Sequence, residues 1–182
     1  GPVDTLAFGA YRREVFDRLG GFDEELVRNQ DDEFNLRLTR SGGTIWLDPT
    51  LRSTYSSRAT LAGLWRQYCG YGMYKVRVAQ KHGRVPSARS VVPALFVLAL
   101  LGGAGVSLVT RDRRPLLAVL VPYAAANAAV SIAAARDDPP TLPIVPVAFA
   151  CLHVAYGVGT LTGLWRWRHQ FRAARRGVIP PA

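Results

Sequence analysis

The run Asn29-Gln30-Asp31-Asp32-Glu33-Phe34-Asn35-Leu36-Arg37-Leu38 sets three carboxylates side by side. A carboxylate beside a bound hydroxyl can take its proton as a general base. Adjacent acids raise one another's proton affinity, which suits that role. Taken alone, the run needs no chemistry, because acids favour the positive end of a helix dipole. Phe34 and Leu38 stand four apart, as on one face of a helix, and Arg37 and Arg40 fall near its far end, where cations are favoured. Cys69 and Cys151 have the spacing of neither a metal site nor a disulfide framework. Free thiols suit a reducing cytosolic side and a lipid interior.

The flanking sequence must position those acids. Residues 3–8 read as a strand, and residues 11–19 as a helix with Val15, Phe16 and Leu19 on one face. Gly20-Gly21 stops that helix, glycine being suited to positive φ at a helix end. Phe22-Asp23-Glu24-Glu25-Leu26 reads as a turn with Phe22 inward. Residues 31–40 read as the second helix, ended by Ser41-Gly42-Gly43. Residues 44–47 form a strand closed by Asp48-Pro49, and residues 51–55 suggest another. Trp46 could stack on a sugar face, although a strand Trp is more often core. Residues 1–59 are apolar-poor for an independent domain and read as the second half of an α/β domain. The start at Gly1-Pro2-Val3 lacks Met and any signal-peptide pattern, so the chain reads as a piece of a longer protein.

Charge divides the chain sharply. Residues 1–59 carry ten acids and eight basic residues, residues 60–90 six basic residues and no acid. Residues 60–81 read as an amphipathic helix, with Leu61, Leu64, Trp65, Tyr68, Gly72 and Val76 at three- and four-residue steps. A basic helix with Trp and Tyr at its apolar boundary suits the membrane interface, within a linker unit of residues 60–89. Three uncharged apolar segments follow, at 90–110, 115–135 and 139–165. Each is long enough for a hydrocarbon core of about 30 Å. Gly102-Gly103 and the Ala-rich run 124–129 suit close helix packing. Pro143 and Pro146 kink the third segment or delay its start. Asn127 and His153 read as interhelical hydrogen-bonding or packing groups, which leaves a transporter reading weak.

The basic flanks point to anionic lipid at the cytoplasmic face, and no basic-aromatic pattern suggests nucleic acid. The basic residues before the first segment place the N-terminal part in the cytoplasm. Three crossings then leave the arginine-rich tail, 166–182, on the outer side, against the same rule. One segment failing to span, or a tail that breaks the rule, would resolve the conflict.

Phe8-Gly9-Ala10-Tyr11-Arg12-Arg13-Glu14-Val15-Phe16, Leu19-Gly20-Gly21-Phe22-Asp23-Glu24, the acidic run, Arg37-Leu38 and Gly42-Gly43 follow one another in order. This ordered set, over roughly residues 3–95, resembles the acceptor-side half of family 2 glycosyltransferases. The nearest likeness is to the membrane-bound transferases of succinoglycan and related exopolysaccharide synthesis. There a Gly-Gly-Phe-Asp-Glu turn precedes an acidic motif, usually Glu-Asp, and an Arg-Leu pair. The resemblance puts Asp31 on the catalytic aspartate and Gln30 where Glu is usual. It makes Asp31 the base that deprotonates the acceptor hydroxyl, with Asp32 and Gln30 beside the acceptor. Gly9 and Ala10 would let the acceptor approach the backbone, or form a simple tight connection. Processive relatives carry Gln-x-x-Arg-Trp in the interfacial helix. Here Gln67 and Tyr71 match it, and Gly70 replaces the Arg. That departure weakens processive synthesis and leaves Arg66 or Lys75 to meet the donor diphosphate, if not lipid.

The resemblance implies a GT-A nucleotide-diphospho-sugar transferase fold, its C-terminal α/β part here, followed by an all-α transmembrane region. It implies an inverting hexosyltransferase in the cell membrane, with a nucleotide-sugar donor and a lipid-linked saccharide or exopolysaccharide acceptor. It also implies a divalent metal, Mg or Mn, held by an Asp-x-Asp motif. No such motif occurs in this chain, so the metal and nucleotide ligands are expected outside it, and this chain alone is expected to be inactive. The rival reading is a non-catalytic membrane-anchored subunit that binds a partner.

Overall fold

The computed structural model describes residues 1–6, 8–83 and 88–170. The chain is mostly helical, with little sheet. Strands β1 (Pro2–Val3) and β2 (Ile45–Trp46) pair antiparallel, Pro2 against Trp46 and Val3 against Ile45. Helices α1 (Arg13–Leu19) and α2 (Gln30–Arg40) lie between them in sequence. Then come α3 (Leu61–Lys81), α4 (Val92–Thr110), α5 (Arg114–Ala134) and α6 (Val145–Arg166). Short 3-10 turns precede α4 and α6, at Ala88–Ser90 and Pro139–Thr141.

The strand expected over residues 3–8 is limited to β1. The chain bends at Asp4, and Phe8 takes φ 57°, outside the strand region. Residues 51–55 form no strand; they are exposed, with no ladder to join. Trp46 is no core residue: strand alternation buries Ile45 and leaves Trp46 66% exposed. The third apolar segment starts late, at Val145, with Pro146 in its first turn, where a missing N–H costs nothing.

The α2 C-terminus follows from its glycines. Gly42, at φ 84°, donates to Thr39 O at 3.2 Å, and Gly43 donates to Leu38 O at 3.0 Å. These two bonds make a Schellman stop, satisfying carbonyls the helix leaves open. At the other end of α2, Asn29 takes the left-handed conformation, φ 63°. Asn is among the few residues that adopt it readily.

The N-terminal unit packs on an aromatic cluster. Phe34 is fully buried, with the rings of Tyr11, Phe16 and Phe22 at 4.9, 5.0 and 4.9 Å from its own. Such ring pairs add about 0.5–1.5 kcal/mol each beyond area burial. Phe22 keeps 43% of its surface exposed, so it is inward on one face only.

Helices α3 and α6 run side by side in the same direction. Leu61 meets Cys151, Cys69 meets Gly159, Met73 meets Gly163 and Gln80 bonds Trp167. Small residues permit this. A Cβ on Gly159 would stand 2.0 Å from Cys69 O, and one on Gly72 2.1 Å from Tyr156 O. The small-residue surfaces expected at Gly102-Gly103 are used in part: Gly103 lies against Pro115 and Leu116, while Gly102 faces open space.

Three helices, Ala88–Thr110, Arg114–Ala134 and Val145–Arg166, are long and apolar enough to cross a membrane. On α4 the side chains of Leu95, Leu98, Leu101, Leu108 and Val109 are all exposed. Surface of this extent is apolar beyond what water-facing helices carry. Within the helices, Asn127 donates to Pro146 O at 3.0 Å and accepts from Ser131 at 3.1 Å. Tyr123 and His153 share a 3.0 Å hydrogen bond. Both polar positions therefore serve helix contacts, as their setting suggested.

Candidate functional site

The acids at the start of α2 have separate surroundings. Asp31 is half-buried, and its Oδ1 accepts from the Asp32 N–H at 2.8 Å, a bond that fixes the carboxylate at the helix start. Asp32 forms an ion pair with Lys75 of α3. Glu33, buried, accepts from Arg37 Nε at 2.9 and 3.0 Å and lies 2.9 Å from His82 Nε2. Burial alone pushes the Glu33 carboxyl up, but the bonds to His82 and Arg37 outweigh it and hold the group below its ordinary value.

Arg37 ties this helix to the preceding turn. Its guanidinium donates to Leu19 O at 2.5 Å and Gly21 O at 2.7 Å, and it covers the Phe34 ring at 4.9 Å. One side chain thus satisfies the end of α1 and caps the aromatic cluster.

Tyr11 stands near Asp31. Burial raises the Tyr11 hydroxyl above its ordinary value, and the charge of Asp31 raises it further. Tyr11 donates to Asn35 Oδ1 at 2.7 Å, and fully buried Asn35 donates to Leu6 O at 2.9 Å and Thr5 Oγ1 at 3.1 Å. This network holds the N-terminal segment on α2. Gly9 belongs to it: a Cβ there would stand 2.8 Å from the Tyr11 hydroxyl. Ala10 and Gln30 are exposed.

α3 docks on the N-terminal unit through the acids it faces. Lys75 pairs with Asp32, Arg77 with Glu25 at 2.7 Å, and Lys81 with Asp23 and Glu25. A hydrogen bond from Lys81 leads the effects that hold Glu25 below its ordinary value. Asn29 donates to Tyr71 O at 3.0 Å, and Gln67 donates to the Tyr71 hydroxyl at 2.8 Å. Gly70 lies against Arg28, where a Cβ would be 3.4 Å from Cγ. Asp31, Asp32, Tyr71 and Lys75 therefore gather where α2 begins. Arg66 is exposed.

A cleft of about 370 Å³ opens beside the Asp32–Lys75 pair, lined in part by Asp4, Thr5, Arg89 and Tyr156. Asp31 does not line it. The chain is 32% identical over 165 residues to the succinoglycan biosynthesis protein ExoA of Rhizobium meliloti (strain 1021). The present chain is similar to that protein over most of its own length. The match covers 88% of this chain and 47% of the relative, so the chain spans about half its length. No protein-family model matches the chain, and no solved structure matches it.

That similarity agrees with the resemblance carried by the glycine turn, the acidic run and Arg37-Leu38. Asn29, Tyr11, Asn35, His82, Arg89 and Tyr156 are the site-forming residues that periodicity did not single out. An Asn directly before an acidic helix start was the one available signal, since Asn tolerates the left-handed region. His82, Arg89 and Tyr156 reach the site through tertiary packing, which local spacing does not encode.

Proposed function

We propose that this chain is the acceptor-side and membrane portion of an inverting glycosyltransferase of exopolysaccharide synthesis. It moves a hexosyl group from a nucleotide sugar onto a lipid-linked saccharide or growing polysaccharide at the cytoplasmic face of the cell membrane. The supporting observation is the placement of a fixed, partly open carboxylate, Asp31, at a helix start in a chain related to a succinoglycan biosynthesis protein.

In this reading Asp31 accepts the proton of the acceptor hydroxyl through the oxygen not bonded to Asp32 N–H. The hydroxyl oxygen forms a bond to the anomeric carbon as the bond to the nucleoside diphosphate breaks, from the opposite face. Asp32 and Gln30 border the acceptor, and the Gln67–Tyr71 pair lies on the α3 side. Lys75 is held by Asp32, so a role toward the donor diphosphate requires that pair to open. α3 carries the site beside the candidate spans.

A divalent metal, Mg or Mn, and the nucleotide belong to the reading with ligands outside this chain. The donor set here does not fit the metal. Asp31 accepts from the backbone, Asp32 faces Lys75, and Glu33 faces Arg37 and His82, so the three acids do not converge.

Membranes from cells producing the natural protein that contains this chain, given labelled nucleotide sugars, are expected to transfer label into an organic-extractable glycolipid or polymer. Absence of transfer from every nucleotide sugar tried favours the non-catalytic, partner-binding subunit instead.

A further inference from the structure

α6 has charge beside it along much of its length. α3 pairs with it at a constant offset of 90 residues: Leu61 meets Cys151, Cys69 meets Gly159 and Met73 meets Gly163. That offset sets Arg66, which is exposed, level with Tyr156. Tyr156 is the twelfth of the 22 residues of α6, and it lines one cleft with Asp32, Lys75 and Arg89. Were α6 to cross a bilayer, its twelfth residue would stand at the centre of the hydrocarbon. A charged side chain there costs roughly 2.5–3.5 kcal/mol even on the mildest scale. Four such groups gather around the middle of α6, and two of them, Arg66 and Arg89, are exposed.

The α4–α5 hairpin has different surroundings. α6 meets α4 near its start, where Gly157 lies against Pro93 and Val97. Beyond that contact Leu98, Leu101, Leu108 and Val109 are exposed, and Gly102 and Gly105 face open space. A third span would cover this flank. Here α4 and α5 hold each other instead: Gly103 lies against Leu116, whose N–H donates to Ser107 Oγ at 3.2 Å. The hairpin therefore projects past α6 from Leu98 to Thr110, about 20 Å at 1.5 Å per residue. Its outer surface suits hydrocarbon, and α6 is the least apolar of the three long helices.

We infer that α4 and α5 alone cross the bilayer, and that α6 lies with α3 in the interface on the side of the N-terminal unit. The partner of the α3–α6 pair is the headgroup layer. The pair exposes Trp65 and Trp165 near Arg66, Arg166 and Arg168, with the Arg168 guanidinium 4.7 Å from the Trp165 ring. Such rings and cations settle at that depth. The distribution of charge agrees. If α6 crosses, residues 60–90 and 135–144 carry seven Lys and Arg on the N-terminal side, against eight in 111–114 and 166–182 on the other. With two crossings only the three arginines of 111–114 stand on the far side, which is the bias of a cytoplasmic N-terminal unit. The inference rests on the proposed membrane placement of the chain and on no step of sugar transfer.

The test reads sidedness and depth. The natural protein that contains this chain receives one new cysteine at a time at an exposed position: Leu51→Cys, Asp112→Cys or Arg168→Cys. Vesicles of both orientations are labelled with a maleimide that does not cross bilayers, and the wild type, with Cys69 and Cys151, serves as the blank. Arg168→Cys is expected to label from the side of Leu51→Cys, and Asp112→Cys from the opposite side. Labelling of Arg168→Cys from the side of Asp112→Cys would make α6 a span and overturn the inference. Labelling of all three from one side, or protection of Arg168→Cys from both, would overturn it as well. Spin labels at Val147 and Leu164, near the two ends of α6, are expected at one shallow depth, with a label at Leu101 deeper. Unequal depths at the two ends would contradict a helix lying in the interface. Neither readout uses transfer, so failure here is distinct from failure of the catalytic reading.

Discussion

At the residue scale, Arg37 does more than favour a helix dipole. It joins buried Glu33, two carbonyls at the end of α1 and its following turn, and the face of Phe34. Removing one partner of a buried pair costs about 3–5 kcal/mol, because the other charge is left without compensation. Arg37→Ala is therefore expected to lower stability by about 3 kcal/mol, read from denaturant unfolding in detergent. A loss under about 1 kcal/mol would show the pair to behave as a surface one. The sequence places Arg37 only at the helix end; the Glu33–Arg37 pair follows from their four-residue spacing, whereas His82 joins from 49 residues away.

The same carboxylates set the acid limb of stability. The folded state holds Glu33 and Glu25 below their ordinary values, so each stabilises fully above the unfolded glutamate value of about 4.3. That stabilisation is lost as pH falls through the lower folded values. Glu25 is half-exposed and counts for less. The melting temperature is expected to stay level down to roughly pH 4.3 and then fall, with a flatter acid limb in Glu33→Gln. An unchanged acid limb in that variant would remove Glu33 from the account.

At the element scale, the contact between α3 and α6 depends on glycine. Gly159→Ala would drive a Cβ into the Cys69 carbonyl, a backbone atom that cannot rotate away. A cost of about 1–3 kcal/mol is expected, as for other overpacked sites. Gly102→Ala meets open space and is expected to be neutral or stabilising by up to about 1 kcal/mol. Melting temperatures of the two variants in one detergent check the contrast, and equal shifts would contradict it. The sequence displays Gly102-Gly103 more plainly than Gly72, Gly157 and Gly159, which are scattered among larger residues. Helix existence was readable from period and apolar length, and the α2 stop from its glycines. Which helix faces which was not, because pairing depends on side-chain shape across distant segments. The two strands were over-long as read, since β-branched and aromatic runs do not report whether a partner strand exists.

At the scale of the whole molecule, an acidic N-terminal unit is clamped to a basic helix, which lies along a span-length apolar helix. The charge division of the sequence, ten acids within residues 1–59 and six cations with no acid over residues 60–90, becomes a docking surface: Lys75, Arg77 and Lys81 meet Asp32, Glu25 and Asp23. These cations were expected to meet lipid headgroups, and protein carboxylates occupy them instead. The basic tail remains a lipid-facing proposal, with Arg172, Arg175 and Arg176 outside the described residues. The clamp brings Asp32, next to Asp31, to a cleft that Pro93 at the start of α4 also lines, as the proposed membrane-held acceptor requires.

Sugar transfer in membranes, with Asp31→Asn and Asp32→Asn beside the wild type at matched protein levels, tests this most directly. A loss of at least about a hundredfold is expected for Asp31→Asn, the usual scale of general-base catalysis, and a clearly smaller loss for Asp32→Asn. Near wild-type transfer by Asp31→Asn would contradict it and pass the base to another carboxylate.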